Sequence, residues 1–289
     1  MLLMADKLEN FSYVKNKTIM INAKFNLQGK YSLITGASGF LGEQHAVALL
    51  MLNSNLVLTD IDFNKLVFLK KRLVKTFPEL EILIFKMDVT KEKSIKIIAN
   101  NLRKKNIKIN ILVNNAAIDS KVKKNQNMTN SGQFEKTSVN EWTRHLNVGL
   151  MGSMLCSKIF GEIMSKTKQG GVILNIASDL SVIAPNHSIY KKGIYKPVMY
   201  SVIKHGLLGL TKYLATYWHN KKIRCNAISP GPIENNQSKI FINKLKKQIP
   251  LNRLAKKNEY IAAIQFLCTD ASSYMTGQNL IIDGGRSVW

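Results

Sequence analysis

Tyr31-Ser-Leu-Ile-Thr-Gly-Ala-Ser-Gly-Phe-Leu-Gly42 is the stretch that decides the fold. Its first five residues, Tyr31 to Thr35, form a short apolar run of the kind a buried strand makes. Three glycines follow, Gly36, Gly39 and Gly42, spaced G-x-x-G-x-x-G, and then a helix-like stretch from Glu43 to Leu52. Strand, glycine turn and helix in that order are the setting of a dinucleotide-binding turn. Glycine permits a tight turn and lets backbone N–H groups approach a pyrophosphate. The helix N-terminus behind it adds unpaired donors and partial positive charge. A glycine-rich turn without function has the same local pattern, and the flanking sequence decides between the two.

Downstream, Asn55 to Thr59 reads as a second strand ending in Asp60, 24 residues beyond Gly36. A carboxylate there accepts hydrogen bonds from an adenosine ribose and repels a 2′-phosphate. No Arg or Lys stands in the glycine turn or directly after Asp60, so NAD is favoured over NADP. Asp62 is available to cap the next helix, which leaves Asp60 free for a ligand. Phe63 to Lys75 is an amphipathic helix, Glu81 to Lys86 a third strand, Ser94 to Arg103 a helix, and Ile109 to Val113 a fourth strand. This β-α-β-α-β-α-β order predicts an α/β fold, a doubly wound parallel sheet with helices on both faces.

The 289 residues suffice for one large α/β domain with a full core. Residues 1–26 are polar and aperiodic and read as a flexible arm, with the domain spanning 27–289. Nothing resembles a membrane span or a signal-peptide core. Cys156, Cys225 and Cys268 are odd in number and far apart, which suits a reducing cytoplasm and neither a disulfide framework nor a zinc site. The five histidines lack metal-ligand spacing. A net charge of +24 invites a nucleic-acid reading. The lysines are spread along the whole chain, however, and no nucleic-acid motif interleaves with them.

With these segments in place, the chain resembles the short-chain dehydrogenase/reductase family over about residues 27–286. Asn114-Asn115-Ala116-Ala117 is similar to the family's segment after the fourth strand, and Asp88-Val89 to its adenine-contacting pair. Asn147 resembles the helix asparagine of the catalytic tetrad. Ser178, ending the strand Val172 to Ser178, resembles the catalytic serine, and Tyr200-Ser-Val-Ile-Lys204 the Y-x-x-x-K element. Pro230-Gly231 and the stretch from Tyr274-Met-Thr-Gly277 to Asp283-Gly284-Gly285 complete the match.

The resemblance implies a single-domain Rossmann fold of about seven strands. It also implies an NAD(P)-dependent oxidoreductase acting on a CH–OH group, with Asn147, Ser178, Tyr200 and Lys204 catalytic. Cofactor binding is carried over to Gly36, Ser38, Gly39, Phe40, Leu41, Asp60, Ile61, Asp88, Val89, Asn115, Ala116, Ala117, Tyr200, Lys204, Pro230, Gly231 and Ile233. Departures are the glycine spacing, Asn235 where the family often has threonine, the 22-residue separation of Ser178 and Tyr200, and a long loop from Ile118 to Thr137. The whole-chain look is similar to bacterial relatives around surface-sugar and flagellin-glycan biosynthesis. A polyol- or gluconate-type dehydrogenase and a silent NAD-binding regulator are the alternatives.

Residue chemistry agrees with the catalytic assignment. Tyr200 and Lys204 at i, i+4 share a helix face, and a nearby ammonium favours the phenolate and brings a tyrosine closer to working pH. Tyr200 then exchanges a proton with the substrate oxygen, Ser178 hydrogen-bonds that oxygen, and Asn147 holds a water linking Lys204 to solvent. Tyr190 and Tyr195 have no lysine four residues on. The loops 118–137 and 179–199 both leave carboxyl ends of strands, where ligands sit. Their cations, Lys121, Lys123 and Lys124 and then Lys191, Lys192 and Lys196, either clamp an anionic sugar or are solvated residues of a lysine-rich chain. By resemblance, helices over Val139–Met164 and Met199–His219, with strand Asn279–Ile282, make a homodimer or homotetramer.

Overall fold

The computed structural model describes residues 23–118 and 132–289. Its strands are β1 (Tyr31–Thr35), β2 (Asn55–Asp60), β3 (Ile82–Lys86), β4 (Ile109–Asn114), β5 (Gly171–Ile176), β6 (Ile223–Pro230) and β7 (Asn279–Ile282). They form one parallel sheet in the order β3-β2-β1-β4-β5-β6-β7. The helices are α1 (Gly42–Leu50), α2 (Phe63–Thr76), α3 (Glu92–Lys104), α4 (Val139–Leu146), α5 (Gly152–Ser165), α6 (Val198–Tyr217), α7 (Lys239–Lys246) and α8 (Ile261–Cys268).

The strands read as unbroken apolar runs because both sheet faces are covered. Alternate residues serve opposite faces. Ile34, Leu58, Val113, Leu174 and Ile228 pack with α1, α2 and α8. Leu33, Val57, Leu112, Ile173 and Cys225 pack with α3, α5 and α6. The fold is the doubly wound sheet expected. Its strand order reverses between β1 and β4, and the crevice at their carboxyl ends is the natural ligand site of such sheets.

A buried polar ladder fixes two helices to that end. The Asn114 amide donates to Asn175 Oδ1 (2.8 Å) and Ser157 Oγ (2.9 Å), and the Asn175 amide to Thr211 Oγ1 (2.8 Å). Each bond satisfies a group that burial would otherwise leave costly.

Two expectations change. Val139–Met164 is not one helix: a π turn over Asn147–Met151 separates α4 from α5. Gly149 in that turn is buried so close to α6 that a Cβ would lie 2.8 Å from Ile203 Cγ2. The expected arm lies outside the described residues up to residue 22. Residues 23–25 form a single 3₁₀ turn, Phe25 packs against the core, and Leu27 N donates to Leu52 O (2.8 Å). Among the described residues no helix is long and apolar enough to cross a membrane.

Candidate active site

A cavity of about 730 Å³ opens at the carboxyl ends of the strands, and every residue assigned to cofactor binding lines it. The glycine turn is built by close approach. Gly36 has φ +60°, and a Cβ on it would lie 2.8 Å from Ala116 Cα. Asn115 braces the turn, its amide donating to Thr35 O and Gly36 O (both 2.9 Å), while its own N–H and that of Ala116 donate to Thr35 Oγ1. No side chain caps α1; Glu43 N of its first turn donates to Gly39 O (3.3 Å), and the helix N-terminus still presents partial positive charge to an anion in the cavity.

Asp60 ends β2 on the cavity wall. Its carboxylate accepts from Ser38 N (3.1 Å), Ser38 Oγ (2.7 Å) and Asp62 N (3.1 Å). Asp62 caps α2 through Lys65 N, as its sequence position suggested. Lys65, paired with Asp62 at 3.0 Å, also lines the cavity. Reading only the residues directly after Asp60 misses this cation, because the first turn of α2 carries it back. An acid at one end, a glycine turn with an uncapped helix in the middle and a buried lysine with tyrosine at the other fit a nicotinamide dinucleotide.

At that other end Ser178 follows β5 and is 5 % exposed. Lys204 is buried on α6 and donates to Ile176 O (2.7 Å), which holds it beside Tyr200 one turn earlier. Its Nζ lies 5.7 Å from the Tyr200 ring centroid, and Lys196 Nζ lies over the same ring at 3.7 Å. Ser178, Tyr200 and Lys204 thus share one wall. Asn147 does not join them: it begins the π turn, is exposed, and lies outside the cavity lining. The buried position in that turn facing α6 is Gly149.

The long segment between Ser178 and Tyr200 is a wall. Ile189 and Tyr190 pack with Phe241, Leu245, Ile249 and Leu254 into a small satellite core. That burial raises the Tyr190 phenol above its ordinary pKa and makes it a poor proton donor. Tyr195, Lys191 and Lys192 do not line the cavity, whereas Lys196 does. Lys121, Lys123 and Lys124 lie outside the described residues. Arg144, Asp179, Phe241 and Arg286 also line it and were not read from sequence. Asp179 and Arg286 form a buried ion pair at 2.6 Å across 107 residues of chain, which no local pattern announces.

A family model described as enoyl-(acyl carrier protein) reductase matches residues 36–287. The chain is 31 % identical to the NAD-dependent glycerol dehydrogenase of Listeria innocua over 91 % of its length and 96 % of the relative's. It is 29 % identical to post-translational flagellin modification protein A of Campylobacter coli, covering 90 % and 98 %. A crystal structure of a short chain dehydrogenase from Leptospira borgpetersenii with bound NAD⁺ superposes with a TM-score of 0.77 at 29 % identity, over 95 % of this chain and 99 % of that one.

Proposed function

The chain belongs to the short-chain dehydrogenase/reductase family of NAD(P)-dependent oxidoreductases, and from its site we propose that it interconverts a secondary alcohol and a carbonyl on a sugar or polyol, using NAD. The observation that carries this is one continuous cavity with Asp60 at its far end and Ser178, Tyr200 and Lys204 together at its near end.

Bound there, a nicotinamide dinucleotide supplies or accepts the hydride. Asp60 and Ser38 would hold the adenosine ribose, and the glycine turn and α1 the pyrophosphate. Tyr200 moves the proton: it protonates the carbonyl oxygen in reduction and takes the hydroxyl proton in oxidation. The cations on Lys196 and Lys204 favour its ionised form, and Ser178 steadies charge on the reacting oxygen. Asp60 opposes a 2′-phosphate while Lys65 attracts one. The carboxylate sits at the strand end and accepts bonds from the turn, so NAD is the cofactor we assign.

The glycerol dehydrogenase relative supports a polyhydroxylated substrate, and the relative named for flagellin modification is compatible with a role in modifying a surface protein. Lys196 and Arg144 at the cavity support an anionic form of it. Self-association is supported by the exposed stack of Tyr213 and Tyr217 on α6 (centroids 5.7 Å), and light scattering at micromolar concentration should give a dimer or tetramer. The main test is NADH formation over a panel of polyols, sugars and sugar acids. Turnover on one or more is expected. NAD binding without turnover on any would leave a silent cofactor-binding regulator instead.

A further inference from the structure

Directly after the serine, Asp179 is 3 % exposed, and its carboxylate joins two parts of the cavity. Ser178 Oγ donates to Asp179 Oδ1 at 2.9 Å. Leu180 N donates to the same oxygen at 2.8 Å and to Ser178 Oγ at 3.2 Å. On the other side, Arg286 Nη1 donates to Asp179 Oδ2 at 2.6 Å, and Nη2 to Gln248 Oε1 at 3.2 Å. The Arg286 backbone is itself clasped, because the Asp283 carboxylate accepts from Gly285 N (2.9 Å) and Ser287 N (2.7 Å). Gly285, at φ +89°, leaves room for Pro250 where a Cβ would lie 2.7 Å from its Cγ. The guanidinium is therefore placed by a built turn.

We propose that Arg286 is a positioning residue that acts through Asp179 on Ser178, setting how readily the serine hydroxyl turns from Asp179 to the substrate oxygen. The inference rests on the oxidoreductase reading above. A carboxylate beside a hydroxyl accepts a charge-assisted hydrogen bond from it, which ties up the hydroxyl's proton. Arg286 and Leu180 N share that carboxylate's charge, so its hold on Ser178 is weakened. The hydroxyl can then donate to an oxygen that gains charge during the reaction. Without Arg286, Asp179 is buried and lacks its cation. It either keeps its charge and retains the Ser178 proton, or is neutralised by a solvent proton and ceases to be an acceptor of the same strength. Either change alters the serine while Tyr200 and Lys204 stay intact.

The experiment uses the full chain, NAD⁺ and whichever of glycerol, D-sorbitol and D-gluconate the wild type oxidises fastest, with R286M, R286K, D179N and the double variant R286M/D179N. For R286M, kcat should fall by about 10- to 100-fold, less than the roughly 100- to 1000-fold typical of deleting an oxyanion donor outright. NADH affinity should stay within about twofold, and the pH profile of kcat should gain an ionisation the wild type lacks. R286K should recover most of the rate, and the double variant should lose the added ionisation. Wild-type kcat and pH profile in R286M overturn the proposal, as does an R286M defect that appears only in NADH affinity. S178A and Y200F are controls: if they turn over normally the active-site reading fails, whereas if they are dead and R286M is normal only the role of Arg286 fails. Crystal structures of the wild type and R286M give a reading that needs no turnover. A changed Ser178–Asp179 contact supports the proposal, and an unchanged one at 2.9 Å in both refutes it.

Discussion

His45 should make this protein acid-sensitive in a way that one substitution removes. It lies in α1, directly behind the glycine turn, and is 1 % exposed. Neither ring nitrogen reaches a partner at full hydrogen-bond geometry, although the Asn115 side chain stands near enough to interact with it. Burial pushes its pKa down from 6.5 to about 3, and the nearby Asn115 side chain only partly opposes the shift. The folded chain thus holds His45 neutral, while the unfolded chain protonates it near pH 6.5. Stability is complete above that pH and is lost as pH falls from about 6.5 towards 3, because there only the unfolded state binds the proton. At 1.36 kcal/mol per pKa unit, the full window is worth roughly 5 kcal/mol, of which about 2 kcal/mol is lost between pH 8 and pH 5. That is a large share of the roughly 5–15 kcal/mol by which domains are stable. The assay is urea unfolding of wild type and His45→Leu at several pH values from 4 to 8. Packing changes shift the variant's curve equally at every pH, so the difference in slope isolates the imidazole. Parallel curves would refute the reasoning.

Tyr200→Phe should lower kcat by at least about 100-fold while NADH still binds by fluorescence titration, since only proton transfer is removed. Asn147→Ala, by contrast, should stay within about threefold of wild type, because Asn147 faces solvent. Asp60→Ala should narrow the ratio of NADP to NAD dissociation constants, and adding Lys65→Ala should widen it again; an unchanged ratio in both counts against the assigned adenosine end. Gly149→Ala should destabilise the fold by about 1–3 kcal/mol through its clash with Ile203, and the companion change Ile203→Val should recover part of that in the same urea assay. With an anionic substrate in hand, Lys196→Ala should raise KM more than it lowers kcat, whereas Lys191→Ala and Lys192→Ala leave KM alone.

Much of the scaffold was legible because it rests on local pattern. Buried parallel strands leave apolar runs, so β1, β2, β3 and β4 were recognisable to within a residue. Asp60, the glycine turn and Y-x-x-x-K each announce themselves over a handful of positions. What stayed hidden depends on distant partners. Asn147 was carried over by resemblance alone, and the π turn it begins, which leaves it exposed, has no local signature in the sequence. Lys65 is five residues past Asp60 in sequence and returns to the cavity only through helix geometry. Arg286 finds Asp179 only after β7 has joined the sheet. Neither the imidazole buried in α1 nor the satellite core of Ile189 with α7 has a signature in composition, since both arise from where the chain folds back on itself.

The reversal of strand order at β1 has a consequence for biosynthesis. One edge of β1 pairs with β2, but its other partner is β4, with Tyr31 opposite Ile109. A nascent chain that has finished β1 must therefore wait for about 80 further residues before that edge is closed. At roughly 5–20 residues per second this takes on the order of 4–16 s. Through that interval an apolar edge of unpaired backbone groups is open to pairing with another unfinished chain. Residues 1–114, with 18 Lys and Arg against nine Asp and Glu, carry a net positive charge that opposes such encounters, because like-charged chains repel one another.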